Sequence, residues 1–286
     1  MSDARPQHTS LSDPHNDPHN DPNDDPNGDP HHGQIQEIAG LIRQADRILF
    51  ITGAGLSADS GLPTYRGIGG LYNDQHTDDG IPIEVALSGD MLRQRPEITW
   101  KYLLQVENAC RGAGHNLAHR IIAEFEKIKP RSWVLTQNID CFHRHAGSQQ
   151  LIEIHGRVDQ LFCTACQHSE QVQDYAHLPP LPTCPQCHAV IRPNVVLFGE
   201  MLPDDAVQTL QREMLRGFDL VFSIGTTSVF PYIAQPVFET RRWGGKAIEI
   251  NPGITEVTPF VHYKLPLRAV DAMSRIWRAL GYDVPA

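Results

Sequence analysis

The feature that most constrains this 286-residue chain is an alternation of short apolar runs with amphipathic stretches. The runs that have the length of buried strands are RILFIT (47–52), SWVLTQN (132–138), LIEIHG (151–156), DLVFSIG (219–225) and KAIEIN (246–251). The helical stretches are residues 35–45, 116–128, 204–216, 232–243 and 270–280. Strands that alternate with helices predict an α/β fold, a Rossmann-like parallel sheet with helices on both faces. In such sheets ligands bind where the strands end.

Two long segments interrupt this alternation. Residues 56–115 are rich in glycine and polar side chains, and residues 157–194 are rich in proline and cysteine. We interpret both as insertions that build a second, smaller lobe with zinc-ribbon and helical parts. The large lobe and both insertions fit one domain over residues 34–286.

The first 33 residues are predicted to be a disordered, low-complexity tail. Five Asp-Pro tetrads run back to back over residues 13–32, and the tail has seven aspartates against one arginine. Its apolar surface is too small to offset the entropy that would be lost on ordering. The alternative is a weak metal-binding arm that uses His15, His19, His31 and His32.

The negative charge of the chain is concentrated in this tail, which carries −6 of the formal net charge of −10. The rest is close to neutral, which argues against nucleic-acid binding through phosphates. The apolar runs are too short to span a membrane, and the N-terminus lacks a basic segment followed by an apolar run. We therefore expect a cytoplasmic protein with no nucleic-acid and no membrane partner.

Four of the six cysteines form two C-x2-C pairs, Cys163/Cys166 and Cys184/Cys187, with seventeen residues between the pairs. This is zinc-ribbon spacing, in which each pair holds the ion from one tight turn. Four thiolates leave no coordination position for water, so the pattern predicts one structural zinc ion. Cys110 and Cys141 are interpreted as buried small apolar residues.

The strand at 47–52 leads directly into GAGLSA (53–58), which satisfies G-x-G-x-x-G/A. Small residues let the backbone approach a pyrophosphate, and N–H groups at a helix start favour negative charge. A redox dinucleotide fold would continue with a second strand that ends in an acidic residue about 20 positions later. Residues 59–80 contain no such strand, so the second feature that a hydride-transferring dinucleotide fold requires is missing. A tight turn without a ligand is the alternative.

Several motifs together resemble the sirtuin family of NAD-dependent protein lysine deacylases. They are GAGLSADSGLPTYRG (53–67), TQNIDCFHRHAGS (136–148), HGRVDQLFCTAC (155–166) with the second cysteine pair, PNVVLFGE (193–200), GTTSVFP (225–231) and INP (250–252). The resemblance covers about residues 34–280 and leaves out the tail. It implies NAD+ as a co-substrate and acetylated-lysine proteins as partners.

The resemblance also implies the reaction and its general base. The acyl group passes from lysine to ADP-ribose, giving free lysine, nicotinamide and 2′-O-acyl-ADP-ribose, with His155 as the base. A neutral imidazole is suited to this at cytosolic pH. The alternative with the same NAD cleavage is a mono-ADP-ribosyltransferase or NAD hydrolase. A further alternative is a non-catalytic module whose zinc ribbon contacts nucleic acid or protein. Contact with phosphates is disfavoured there, because no Lys or Arg lies between Cys163 and Cys187.

The remaining site residues are carried over from the resemblance motif by motif. The expected NAD contacts are Gly53, Ala54, Gly55, Ser57, Ser60, Tyr65, Arg66, Gln137, Asn138, Asp140, Gly225, Thr226, Thr227, Asn251 and Ala269. The expected substrate-peptide contacts are Val195, Val196, Phe198 and Gly199, on a strand edge with which the peptide would pair through its backbone.

The sequence departs from the family pattern at three places. Thr64 stands where an Asp is common, and Cys141 and Phe142 stand where the family has Gly and Leu. Members that remove succinyl or malonyl groups have a Tyr-x-x-Arg pair, whose places here hold Leu103 and Val106. Without that Arg a buried acyl carboxylate would lack its bidentate partner. We therefore predict a preference for neutral acyl groups, acetyl first.

Overall fold

The computed structural model describes residues 28–62 and 77–285. Tyr65 and Arg66, as well as most of the predicted tail, lie outside the described residues. The strands are β1 (Arg47–Thr52), β2 (Arg131–Thr136), β3 (Leu151–Glu153), β4 (Gly156–Cys163), β5 (Ser169–Gln171), β6 (Ile191–Val195), β7 (Leu220–Ile224), β8 (Lys246–Ile250) and β9 (Tyr263–Leu265).

The helices of the described residues complete the element list. They are α1 (His32–Gln44), α2 (Ala54–Ser57), α3 (Ile83–Ala86), α4 (Gly89–Gln94), α5 (Pro96–Cys110), α6 (Leu117–Ile128), α7 (Phe142–His145), α8 (Asp204–Leu215), α9 (Pro231–Arg242) and α10 (Ala269–Ala279). Short 3-10 turns cover Ala58–Ser60 and Thr258–Phe260.

The central sheet has the order β3-β2-β1-β7-β8-β9, and every neighbouring pair is parallel. The predicted Rossmann-like sheet is therefore confirmed. The strand order reverses between β1 and β7, and the crevice outside the strand ends at such a switch point is where ligands bind in open α/β sheets. The edge strand β9 was not predicted, because three residues that include Lys264 give no apolar run.

Alternate side chains of β1 point to opposite faces of the sheet, and each face is covered by helices. Ile48 and Phe50 pack in a core that includes residues of α1, α6 and α10. Leu49 and Ile51 pack in a second core, with residues of α8 and α9. All four side chains are fully buried. Helices on both faces are thus confirmed, and the sheet is a rigid platform for the residues at its strand ends.

The small lobe is built from both insertions around one shared core. Helices α3, α4 and α5 and two strands, β4 and β6, of the three-stranded antiparallel sheet β5-β4-β6 contribute buried side chains to the same cluster. Trp100 of α5 is fully buried, and its indole Nε1 donates to the carbonyl of Ile191 in β6 at 2.8 Å. This bond ties two segments that are 91 positions apart in the sequence.

The first helix begins at His32, two residues before the boundary predicted for the tail. The carbonyl of Asp29 accepts from the His32 N–H, and the Asp29 carboxylate pairs with Arg275 of α10 at 2.9 Å. These contacts anchor the residues just before α1 to the large lobe. Within the described part of the chain, no helix combines the length and the apolar character that crossing a membrane requires.

Candidate functional site

The site is assembled where the strands of the central sheet end. Residues at the ends of five strands meet there: Gly53 after β1, Gln137 and Asn138 after β2, His155 after β3, Gly225, Thr226 and Thr227 after β7, and Asn251 after β8. The contacts among them bind the strand ends to one another, so the site is held together by its own polar groups.

Two glycines allow the ends of β1 and β7 to touch. A Cβ atom on Gly55 would lie 2.7 Å from the Gly225 Cα, and one on Gly225 would lie 2.4 Å from the Leu56 nitrogen. Gly225 also has a φ of +59°, in the left-handed region that favours glycine. The N–H groups of Gly53 and Gly55 donate to the carbonyls of Ile224 and Gly225, at 3.1 and 2.8 Å. These two amides are thus engaged within the protein, and what the glycines provide is room.

Ser57, Asn138 and Asp140 form a hydrogen-bonded group beside this turn. The Ser57 hydroxyl donates to the Asp140 carboxylate at 2.6 Å, and the Asn138 amide donates to the Ser57 hydroxyl at 3.1 Å and to the Gly53 carbonyl at 3.0 Å. Burial raises the pKa of Asp140, while the bond from Ser57 acts in the opposite direction. The group fixes the ends of β1 and β2 relative to each other.

A second set of bonds joins β2, β7 and β8. The Gln137 amide donates to the Thr226 hydroxyl at 2.7 Å, and the Asn251 amide donates to the Thr226 carbonyl at 3.1 Å. Thr226 is buried, whereas the neighbouring Thr227 is exposed. Thr226 therefore acts as the contact between three strand ends, a role that the sequence pattern alone did not reveal.

His155 is half-buried and follows β3 by two residues. Its Nδ1 lies 3.0 Å from the carbonyl of Gln137. Because a carbonyl only accepts, Nδ1 carries the hydrogen and the neutral ring presents Nε2 as an acceptor. Burial lowers the pKa of His155, against the opposing effect of the Gln137 carbonyl. The ring is therefore neutral at pH 7 and has the protonation state that a general base needs.

Cys141 is one of the departures from the family pattern, and its backbone conformation shows why glycine is usual at this place. It precedes α7 with a φ of +64°, in the region that favours glycine, which is the residue the family usually has at this place. The thiol is buried, and burial raises its pKa to about 12. The predicted role of Cys141 as a buried small apolar residue fits its burial. Cys110 is only partly buried.

The segment with the expected peptide contacts is held by the small lobe. Val195 ends β6, which is an edge strand, as the prediction of a strand edge requires. The Val196 N–H donates to the His155 carbonyl at 2.9 Å, which ties the segment to the base. The N–H and carbonyl of Phe198 bond to Leu87 and Gly89. The Phe198 backbone is thus paired within the protein.

An ion pair that the sequence reasoning missed supports this segment. Glu200 accepts from Arg192 at 2.5 and 2.9 Å and from the Leu197 N–H at 2.9 Å. Arg192 is buried and also donates to the Val195 carbonyl at 2.7 Å. The bonds lower the pKa of Glu200, against the effect of burial, and keep the carboxylate ionised. No spacing rule would have paired these two charges, because the bend at Gly199 brings them together.

Two expected NAD residues are placed at the margin of the strand-end cluster. The Ser60 hydroxyl accepts from the Asn116 amide at 3.1 Å. Ala269, the first residue of α10, is buried and belongs to the core of the large lobe. Its methyl group is committed to packing, so only its backbone remains for a ligand. The adjacent Val270 N–H donates to the Asp59 carboxylate at 2.9 Å, which fixes α10 against the glycine turn.

The four paired cysteines converge as predicted. Their sulfur atoms lie within 4.8 Å of one another, with Cys163 and Cys187 3.4 Å apart and Cys166 and Cys184 3.6 Å apart. Metal–sulfur bonds of about 2.3 Å in a tetrahedron fit these separations. The N–H groups of Ala165 and Cys166 point at the Cys163 sulfur and lower its pKa. The cluster is therefore a site for one metal ion.

Comparison with known proteins identifies the family. The model of the Sir2 family matches residues 53–231. An NAD-dependent protein deacylase 2 of Pseudomonas aeruginosa is 52% identical over 248 residues, which cover 86% of this chain and 96% of that protein. The chain belongs to the Sir2 family, the sirtuins.

Solved structures of the same family match the fold. A Sir2 homologue in complex with NAD is 34% identical, with a TM-score of 0.77 over 86% of this chain and 93% of that chain. A Sir2 variant bound to a deacetylated p53 peptide and 3′-O-acetyl-ADP-ribose is 30% identical, with a TM-score of 0.78 over 87% and 99% of the two chains.

Gly225→Ala tests whether the contact between the β1 and β7 ends is essential. We expect it to lower the free energy of unfolding by clearly more than Gly244→Ala, measured by urea denaturation. Both positions have positive φ, +59° and +85°, but a Cβ at Gly244 meets nothing within 4 Å. The control therefore carries only the backbone cost of about 1–2 kcal/mol. Equal losses in the two variants would contradict the proposed role of the close approach.

Proposed function

We propose that this sirtuin is an NAD-dependent protein lysine deacetylase, with NAD+ as co-substrate and His155 as general base. The observation that carries the proposal is the His155 ring, which is neutral and presents Nε2 at the edge of the strand-end site. Relatives named as deacylases, and a relative bound to an acetyl-ADP-ribose product, support the reaction class. They do not favour the alternative of a mono-ADP-ribosyltransferase or NAD hydrolase.

NAD+ would lie across the switch point between β1 and β7. Gly53, Ala54 and Gly55 would face its phosphates, with the small residues giving close access. Asn138 would orient the nicotinamide ribose, and Asp140 would bond the carboxamide. The remaining expected contacts are Ser57, Ser60, Tyr65, Arg66, Gln137, Gly225, Thr226, Thr227, Asn251 and the backbone of Ala269. The fit rests on the strand-end geometry, in which Ser57, Asn138 and Asp140 are already ordered by one another.

The chemistry that we assign to this chain is proton transfer. NAD+ supplies the ribose carbon to which the acyl oxygen becomes bonded as nicotinamide leaves. His155 Nε2 would take the proton of a ribose hydroxyl, while the Nδ1–H bond to Gln137 keeps the ring oriented. The half-buried position lowers its pKa, so the base is available over the neutral range.

The acetyl-lysine peptide would enter between the segment 195–199 and the loop that follows β7. Gly199 and the side chains of Val196 and Phe198 would line its path. The Val195 side chain is buried in the small-lobe core, so only its backbone could face a peptide. Val229 and Phe230 of that loop are exposed and would face the peptide from the other side. Since much of the backbone of this segment is already paired within the protein, the peptide would be held largely by apolar side chains, which discriminate little between polar sequences.

The metal in the four-cysteine cluster is proposed to be zinc in a structural role. Four sulfur atoms at separations that fit a tetrahedron suit zinc, and they leave no coordination position for water or substrate. Thiolate ligands and the unpaired Cys110 and Cys141 also suit a reducing compartment, so a cytoplasmic location is part of the same proposal.

His155→Ala is the central test of the mechanism. With an acetyl-lysine peptide and NAD+, 2′-O-acetyl-ADP-ribose and its 3′ isomer should form with the wild type, and the rate should fall by about 10²–10⁴-fold in the variant. NAD+ affinity and the melting temperature should change little. His177→Ala is the control, since its side chain is 66% exposed. Undiminished product formation, read by mass spectrometry, would refute the role of His155. ADP-ribose without an acyl product would favour the alternative activity.

The acyl preference is tested with acetyl-, butyryl- and succinyl-lysine forms of one peptide. Leu103 is buried in the small-lobe core and Val106 is half-buried, so neither place offers a cation to a carboxylate. We expect kcat/KM for the succinyl peptide to lie at least about 100-fold below that for acetyl, as an unpaired buried charge costs about 3–5 kcal/mol. The butyryl peptide separates charge from chain length. A succinyl rate above the acetyl rate would contradict the prediction.

Cys184→Ala tests the metal cluster. Elemental analysis of the wild type should give about one zinc per chain, and the variant should retain little of it because a thiolate ligand is lost. The melting temperature should fall, since Cys184 is also buried in the small-lobe core. Cys110→Ala, outside the cluster, should keep its metal. Full zinc content in Cys184→Ala would show that the ion is bound elsewhere.

A further inference from the structure

Tyr232 contacts the group that we propose as the base. It lies in the first turn of α9, and its hydroxyl oxygen is 2.7 Å from His155 Nε2. Since Nδ1 donates to Gln137, Nε2 is the acceptor and the phenol is the donor in this bond. Burial raises the pKa of Tyr232, so the hydroxyl keeps its proton at neutral pH.

An aromatic contact holds the phenol in this position. The ring of Phe230 stacks on that of Tyr232, with centroids 5.5 Å apart and an interplanar angle of 14°. Phe230 also meets the edge of the imidazole at 5.9 Å. Among the described residues, the groups that bond to or pack on the His155 ring are Gln137, Phe230 and Tyr232, all uncharged at neutral pH. The Tyr232 side chain is therefore fixed both by its hydrogen bond to His155 and by its stacking on Phe230.

This bond uses the same lone pair that the reaction needs. The Nε2 atom of a neutral imidazole accepts one hydrogen bond along its single lone pair. It cannot accept from Tyr232 and take the proton of a ribose hydroxyl at once. The phenol must therefore leave before proton transfer.

A cleft beside Tyr232 offers a place for the displaced ring. Tyr232 also lines a cleft of about 440 Å³ between α8 and α9. Its other walls are mostly apolar and include Leu202, Leu210, Met214, Pro236 and Trp243. A phenol ring that swings away from His155 would enter apolar surroundings suited to its aromatic face.

We propose that Tyr232 is a positioning residue that occupies Nε2 of His155 in the free enzyme and is displaced by the ribose hydroxyl. The contact itself is independent of the proposed function, and only the displacement step rests on it. The phenol would keep the free base neutral and correctly oriented, and would protect the lone pair from protonation by solvent until NAD+ is bound. The Tyr232 hydroxyl would then have no part in the complex.

Tyr232→Phe tests this by NMR titration of ¹⁵N-histidine-labelled protein, with the His155 signals assigned from their loss in His155→Gln. Removing the donor removes a bond that favours the neutral ring, so the pKa of His155 in the free protein should rise by about 0.5–1 unit. With saturating ADP-ribose, whose ribose hydroxyls would take the place of the phenol, wild type and variant should titrate alike. Tyr175→Phe removes another buried hydroxyl bond, to the Val158 carbonyl, and should leave His155 unchanged.

Kinetics provide a second measurement. The acidic limb of kcat/KM for NAD+ reports the free enzyme and should move to higher pH in Tyr232→Phe, whereas that of kcat reports the complex and should not move. An unchanged pKa in the free variant would overturn the proposal, and so would a difference that persists with ADP-ribose. A shifted pKa in a protein that does not deacetylate peptides would support the contact and refute the proposed function instead.

Discussion

The close approach of the β1 and β7 ends is the constraint on which the rest of the site depends. Gly55 and Gly225 meet backbone to backbone, with no space for a side chain on either. Because these strands flank the point where the sheet order reverses, their contact sets the floor of the binding crevice. Gln137 and Asn138 then bond to groups on these two ends, so their side-chain positions follow from the same contact. The side chains of Gln137 and Asn138 are thus held in place by contacts within the protein itself.

Much of this arrangement was predictable because its signals are local. The strands β1, β2, β3, β7 and β8 each present an apolar run, and the residues that follow them reach one edge by the geometry of a parallel sheet. The cysteine pairs were equally clear, since spacing alone brings two sulfurs of a turn together. His155 required the family resemblance, because one histidine after a strand has no distinctive pattern. The structure adds its tautomer, through the Gln137 carbonyl.

What the sequence could not predict depends on contacts between distant positions. Tyr232 is 77 positions from His155, and its stretch reads as part of an amphipathic helix. Arg192 and Glu200 are near in sequence but pair only through a bend. The packing of Ala269 and the engaged amides of Gly53 and Gly55 are also tertiary facts. A motif names the residues of a site, whereas the partner of each polar atom is decided by the whole fold.

The Trp100–Ile191 bond has a consequence for how the molecule can be divided. The small lobe takes its core from two stretches separated by β2 and β3, and each supplies the apolar surface that the other covers. No single cut in the chain can release this lobe whole, and removing one stretch would expose the apolar face of the other to water. The small lobe therefore cannot be transferred to another protein as one contiguous segment, because both insertions would have to be moved together.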